Sequence, residues 1–340
     1  MPVAEALLEV RDLVKHFALP RTVLDAALRR PPQKVRAVDG VSFAVQRGST
    51  LGLVGESGCG KSTLGRCILR LHDSDRGEVR FNGVDLAGLD EGALVPYRKR
   101  LQVVFQDPYS SLNPRQSIGS TLLEVLDVHG IGTPAERRKR VAQLLTQVGL
   151  NPGDGHKHPG EFSGGQRQRI GIARALAVGP ELLIADEPLS ALDVSIQAQI
   201  LQLLLNLRTS LGLTMIFISH DLRVVRYLSD EVAVMYLGQI VEQAPTADLF
   251  ARPQHPYTIA LLSAVPEVGE TRREQVAIEG EPPSAVRVPQ GCRFHPRCPW
   301  KVERCRHESP KLREILPGHT VACHVAGGGE VATEFRPVHA

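Results

Sequence analysis

One short run constrains this chain more than any other. Gly55-Glu56-Ser57-Gly58-Cys59-Gly60-Lys61-Ser62 matches the phosphate-binding loop pattern G-x-x-x-x-G-K-[ST]. The apolar stretch Leu51 to Val54 precedes it, and a helix is expected from Ser62 to Leu71. That strand-loop-helix context is the one the motif requires. The glycines let successive backbone N–H groups turn inward around a polyphosphate. Lys61 adds a point charge near the outer phosphates. Ser62 offers a hydroxyl to Mg2+, and the helix start, with Thr63 beside it, adds partial positive charge. Alone, the loop predicts a nucleoside triphosphate site on an α/β core.

Composition narrows the setting. At 340 residues the chain is expected to hold about two domains. A hydrophobic content of 42% is ample for a core and excludes a disordered chain. The net charge of +3 gives no electrostatic case for nucleic acid. Met1 to Glu9 lacks the basic start and apolar core of a secretory signal. No stretch reaches the roughly 18 apolar residues of a spanning helix. The expectation is a soluble, cytosolic chain whose six cysteines stay reduced unless metal-bound, with any membrane role exerted through a partner.

Leu7 to Leu13 and Val38 to Val45 read as strands. The segment Pro20 to Arg36 between them carries Arg21, Arg29, Arg30, Lys34 and Arg36 against Asp25, and reads as a solvated loop. Glu78 to Phe81 followed by Asn82-Gly83 is a hairpin signal. Leu101–Phe105, Leu182–Ala185 and Thr214–Ser219 are short apolar runs of the buried parallel kind. Helical patterns cover Arg137–Val148, Gln166–Ala177 and Gln197–Leu211, and Glu231 to Val241, broken at Gly238, reads as a hairpin.

Leu182 to Glu187 is a buried-strand pattern ending in two acids. Asp186 at the strand end can hold Mg2+ beside a phosphate loop. Glu187 is placed to polarise a water attacking the terminal phosphate. Ser163-Gly164-Gly165-Gln166 opens a helix, and a hydroxyl followed by two glycines there makes a second anion cradle. Two cradles are redundant for one ATP unless the second addresses nucleotide held by another subunit.

This constellation resembles the ATP-binding cassette ATPases, whose signature is this Ser-Gly-Gly-Gln. The resemblance covers roughly Leu7 to Val241 and places further residues. Gln106 resembles the glutamine that contacts magnesium and senses the membrane partner. Ser190-Ala191-Leu192-Asp193 resembles the loop coupling two sites of a dimer. His220 resembles the switch histidine at the γ-phosphate, and Phe17 the aromatic that stacks on adenine. The implied fold is a P-loop NTPase cassette: a RecA-like core, an antiparallel β subdomain, and a helical subdomain at about residues 108–178. Such ATPases close head to tail, each ATP lying between one phosphate loop and the opposite Ser-Gly-Gly-Gln.

Val104–Pro114, Leu192–Gln199 and His255–Thr258 are similar to the ATP-binding subunits of bacterial dipeptide and oligopeptide importers. The resemblance implies two integral-membrane permease subunits, a second ATPase or a second copy, and an extracytoplasmic solute-binding protein. It also implies peripheral attachment at the cytoplasmic face of the membrane. Nickel importers share these features, as do some sugar and opine systems. Gly160 departs from relatives, which usually carry a larger residue there. The alternative of a soluble cassette ATPase acting on nucleic acid or ribosomes predicts tandem cassettes or a long coiled coil, and neither is present. A regulatory module without turnover conflicts with an intact Glu187.

After residue 250 the chain holds 11 of the 24 prolines and four of the six cysteines, so a loop-rich region with little core is expected. The expected organisation is 1–250 for the cassette, 251–326 for an importer-type C-terminal region, and 327–340 for a flexible tail. Cys292-x5-Cys298-x6-Cys305-x17-Cys323 suggests metal rather than disulfides in a cytosolic chain. The tight C-x2-4-C pair usual in zinc sites is missing, and Pro299 after Cys298 suits a [4Fe–4S] cluster better. Zinc and unliganded thiols remain open. His295 and His324 flank the cluster and could replace a thiolate. The importer resemblance also implies a [4Fe–4S] cluster.

Overall fold

Alternation of apolar and polar residues builds the long strands, and unbroken apolar runs build the short buried ones. The computed structural model describes residues 6–21, 32–107, 112–264, 278 and 280–327. Arg29, Arg30 and Asp25 of the expected basic loop, Pro108 to Ser111, and the tail beyond 327 lie outside the described residues. In chain order the strands and helices begin with β1 (Ala6–Ala18), β2 (Lys34–Gln46), β3 (Thr50–Val54), α1 (Lys61–Ile68), β4 (Arg76–Phe81) and β5 (Val84–Asp85). Next come α2 (Glu91–Arg100), β6 (Leu101–Val104), α3 (Ile118–Val128), α4 (Pro134–Gln147), α5 (Gly164–Leu176), β7 (Leu182–Asp186), α6 (Val194–Leu211) and β8 (Thr214–Ile218). Then follow α7 (Leu222–Leu228), β9 (Glu231–Tyr236), β10 (Gln239–Pro245), α8 (Thr246–Ala251), α9 (Pro256–Ser263), α10 (Arg304–His307), β11 (Arg313–Leu316) and β12 (His319–Val321).

The chain divides into two compact units. One comprises Met1–Leu7, Val45–Thr50 and Gly88–Ser219. In it β6, β7 and β8 run parallel, with Leu101 opposite Leu182 and Leu182 opposite Thr214. All five residues of β7 and of β8 are buried, as continuous apolar runs require. Helices α3 and α4 of this unit start at side-chain caps. Ser117 caps α3, Thr133 and Glu136 form a capping box on α4, and Pro134 occupies its first turn.

The second unit comprises Leu8–Ala44, Leu51–Ala87 and His220–Ala340. One of its sheets runs β2-β1-β4-β5. Strand β1 continues past the expected Leu13 because its register with β4 shifts between Arg11 and Val14, with Asp12 at φ 44°. The Asn82-Gly83 hairpin forms as expected, with Phe81 opposite Val84 and both turn residues at positive φ. In the same unit β3 pairs parallel with β9, which runs on antiparallel through β10, β12 and β11. Fully buried Glu242 on β10 receives His319 Nε2 of β12 at 2.7 Å, tying this C-terminal hairpin down. Among the described residues no helix is long and apolar enough to cross a membrane.

Candidate nucleotide site

Buried strand β3 delivers the phosphate loop to the start of α1. Gly60 stands at φ 110°, and a Cβ there would lie 1.9 Å from the Ala37 carbonyl oxygen, so only glycine fits. Gly60 is also the N-cap of α1 and no side chain caps the helix, which leaves its start to an anion. Lys61 is buried, and its Nζ donates to the carbonyls of Gly55 (2.8 Å) and Glu56 (3.1 Å). Ser57 and Gly58 are exposed at the loop crest, with Ser62 and Thr63 half-buried behind them. Burial pushes the Cys59 thiol up, despite the Lys61 ammonium beside it. In the same unit Phe17 is half-buried, edge-on to His72 at 5.5 Å with Lys15 Nζ 5.2 Å from its centroid. His220 is exposed, just ahead of α7.

The hydrolytic residues belong to the other unit. Strand β7 ends at buried Asp186, and the chain then turns at Glu187, whose φ of 47° is rare for a side chain of this kind. Such a conformation costs about 1–3 kcal/mol and clusters at functional sites. It is held by the Glu187 N–H, which donates to the Ile218 carbonyl at 3.0 Å. Gln106 Nε2 donates to Glu187 Oε2 at 3.3 Å, so two residues distant in sequence meet.

Ser163 and Gln166 form a reciprocal capping box on α5. Ser163 Oγ accepts from the Gln166 N–H, and Gln166 Oε1 accepts from the Ser163 N–H at 2.9 Å. The glycines fall at the first two helical positions, whose amides have no partner within a helix. Gly165 also packs: a Cβ there would meet Ile196 Cγ2 at 2.4 Å. Asp193 is exposed at the N-cap of α6 and makes no side-chain cap. The turn before it is held by Gln197 Nε2, which donates to the Leu189 and Leu192 carbonyls. Val194, next in line, is 82% exposed. At Gly160 nothing lies within 4 Å of an added Cβ, so packing does not demand glycine there.

Tyr257 and Arg297, which both hold Glu56, escaped sequence reasoning. The first was legible only as part of a family motif, and the second not at all.

The four C-terminal cysteines are all buried and free. They gather closely enough that the charge of one raises another; burial first, then such neighbours, pushes Cys298 up to about 12 and Cys292 to about 11. Yet among the described residues no group of three or more His, Cys, Asp or Glu is placed to hold a metal ion. The expected [4Fe–4S] ligand set is therefore not formed by this arrangement. The region is fastened by hydrogen bonds and an ion pair. Cys292 N–H donates to Cys305 O at 2.8 Å, and Arg293 pairs with Asp39 and with the Leu237 carbonyl. His295 Nδ1 and His324 Nε2 are engaged with the carbonyls of Cys292 and Glu308.

Comparison with known proteins agrees with this geometry. Residues 38–190 match the family described as ABC transporter, and residues 241–305 match Oligopeptide/dipeptide transporter, C-terminal region. The solved ATP-binding cassette MJ0796, in a dimeric post-hydrolysis state bound to ADP and Pi, superposes with a TM-score of 0.62 at 27% identity. That match covers 70% of this chain and 98% of the cassette. CbiO1 from Clostridium perfringens, part of the ABC transporter complex cbiONQ, gives the same TM-score over 72% of this chain and 91% of its own. The chain belongs to the ATP-binding cassette transporter family, as an ATPase with that family's nucleotide-binding fold.

More narrowly, it is 49% identical to the Oligopeptide transport ATP-binding protein AppF of Bacillus subtilis (strain 168), over 94% of this chain and 98% of that protein. It is 51% identical to the Probable peptide ABC transporter ATP-binding protein y4tS of Sinorhizobium fredii, over 95% and 91% respectively.

Proposed function

We propose that this chain is the ATP-hydrolysing motor subunit of an importer for di- or oligopeptides. The C-terminal match over residues 241–305 and the peptide-transport relatives support the solute class. The observation that carries the hydrolytic part is Glu187, held in a strained backbone conformation with Gln106 on its carboxylate.

In this reading Phe17 stacks on the adenine, and Gly55 to Thr63 wrap the phosphates, with Lys61, held by loop carbonyls, turning its remaining donor to the phosphate oxygens. Ser62, Asp186 and Gln106 offer a hydroxyl, a carboxylate and an amide, the hard oxygen donors that suit Mg2+. Bound there, the ion neutralises charge on the terminal phosphates. Glu187 takes a proton from the attacking water, and Gln106 steadies one carboxylate oxygen. His220 contacts the γ-phosphate. Ser163, Gly164, Gly165 and Gln166 face the nucleotide of a partner ATPase, and Ser190 to Asp193 couple the two sites.

The cassette spans 1–250, an importer-type C-terminal region 251–326, and a tail 327–340. Partners are two membrane permease subunits, a homologous ATPase or a second copy, and a solute-binding protein, with attachment at the cytoplasmic face. The test is Glu187→Gln: ATP binding is retained, turnover falls about 10²–10⁴-fold, and the protein accumulates as a closed dimer. Unchanged turnover removes Glu187 as the base.

A further inference from the structure

The phosphate loop carries a carboxylate where a polyanion is expected, and the C-terminal region holds it. Arg297 Nη1 and Nη2 donate to Glu56 Oε2 and Oε1 at 2.9 and 3.1 Å, a bidentate fork. The Arg297 side chain is 8% exposed and that of Glu56 26%, so the pair is partly desolvated rather than a surface contact. The Glu56 N–H donates to Tyr257 Oη at 2.8 Å, which fixes the peptide plane. The Glu56 carbonyl is one of the two carbonyls to which Lys61 donates. Carboxylate, amide and carbonyl of one loop residue are thus all engaged.

The anchors are themselves packed and hydrogen-bonded. The rings of Tyr257, Tyr236 and Phe294 pack together with centroids 4.7–5.5 Å apart. The Arg297 N–H closes a turn on the Phe294 carbonyl at 3.0 Å, and Arg293 ties the same turn to Asp39.

We propose that Arg297 is a positioning residue for nucleotide: it clamps Glu56, sets the loop for a triphosphate and prevents a carboxylate from repelling it. The proposal deepens the nucleotide reading of this site and rests on it. An unpaired Glu56 adds a negative charge beside the phosphates and frees the peptide whose carbonyl Lys61 holds. Both effects weaken ground-state ATP binding, and neither touches the hydrolytic residues.

The test is titration of the full chain with MgATP, alongside steady-state ATPase kinetics. Arg297→Ala raises Kd and KM for ATP roughly tenfold, as loss of a charge-assisted pair implies, with kcat within about twofold. Arg297→Lys, which keeps the charge but not the fork, raises Kd only about threefold. In a Glu56→Ala background Arg297→Ala changes Kd by less than about twofold, because the partner is gone. An equal loss in both backgrounds overturns the proposal, as does an unchanged Kd in Arg297→Ala. Should Arg297→Ala fail to fold, Arg297→Lys and Tyr257→Phe decide; Kd values equal to the unsubstituted chain in both overturn it. An unsubstituted chain that does not bind MgATP refutes the nucleotide reading instead.

Discussion

Acid should loosen this protein at one identifiable histidine. His255 caps α9 with its ring: Nδ1 accepts the Tyr257 N–H at 3.0 Å, which requires the neutral imidazole. The residue is 1% exposed, and burial pushes its pKa down to about 3. Facing groups are the Phe294 ring at 5.7 Å and Glu242, whose carboxylate takes the His255 and Gln254 N–H groups and His319 Nε2. Because the folded value lies below the ordinary 6.5, the unfolded chain binds the proton first. Stability is complete above pH 6.5 and declines as pH falls from 6.5 towards 3. At ~pH 5 the unfolded imidazole is almost fully protonated and the folded one is not. At about 1.36 kcal/mol per pH unit, this difference removes about 2 kcal/mol. The assay is urea unfolding at ~pH 7.5 and ~pH 5 for the unsubstituted chain and His255→Asn, since asparagine caps a helix without titrating. The unsubstituted chain should lose about 2 kcal/mol more than the variant, other titrations cancelling in the comparison. Equal losses refute a buried neutral His255.

Lys61→Ala should abolish MgATP binding by equilibrium titration, and retained tight affinity contradicts the phosphate-loop reading. Gly165→Ala should destabilise the chain by about 1–3 kcal/mol in thermal or urea unfolding, through its clash with Ile196. Adding Ile196→Ala should recover most of that loss. Strictly additive effects would show that the glycine is required for something other than packing room.

What was legible in the sequence follows the range of the interactions. The parallel strands announced themselves because burial on both faces leaves continuous apolar runs, as at Leu182–Ala185 and Thr214–Ile218. Asn82-Gly83 announced its hairpin because few dipeptides tolerate two positive φ values. The continuation of β1 beyond Leu13 was hidden by a bulge that breaks the alternation on which strand reading depends. Helix α3 has its signals, Ser117 at the cap and Ile118, Leu122 and Leu126 buried along one face, yet no reading of the residues assigned it. Glu187 was legible as an acid at a strand end, whereas its positive φ and its bond to Gln106, 81 positions away, were not.

The C-terminal region shows the same limit more sharply. Abundant proline and cysteine led to the expectation of a loop-rich region with little core. The region is fastened at long range: Arg293 reaches Asp39 across 254 positions, Arg297 reaches Glu56 across 241, and His319 reaches Glu242 across 77. No local pattern encodes such pairs. Phosphate-loop motifs hide them for a further reason. The x positions of G-x-x-x-x-G-K-[ST] are free because their side chains do not grip the phosphate, so the motif is silent about them. Freedom from the ligand makes such a position available to the rest of the protein, and Glu56 is bound there from α9 and from the turn at Arg297. A substitution at Glu56 should therefore be judged by what the C-terminal region loses, even where the motif itself is preserved.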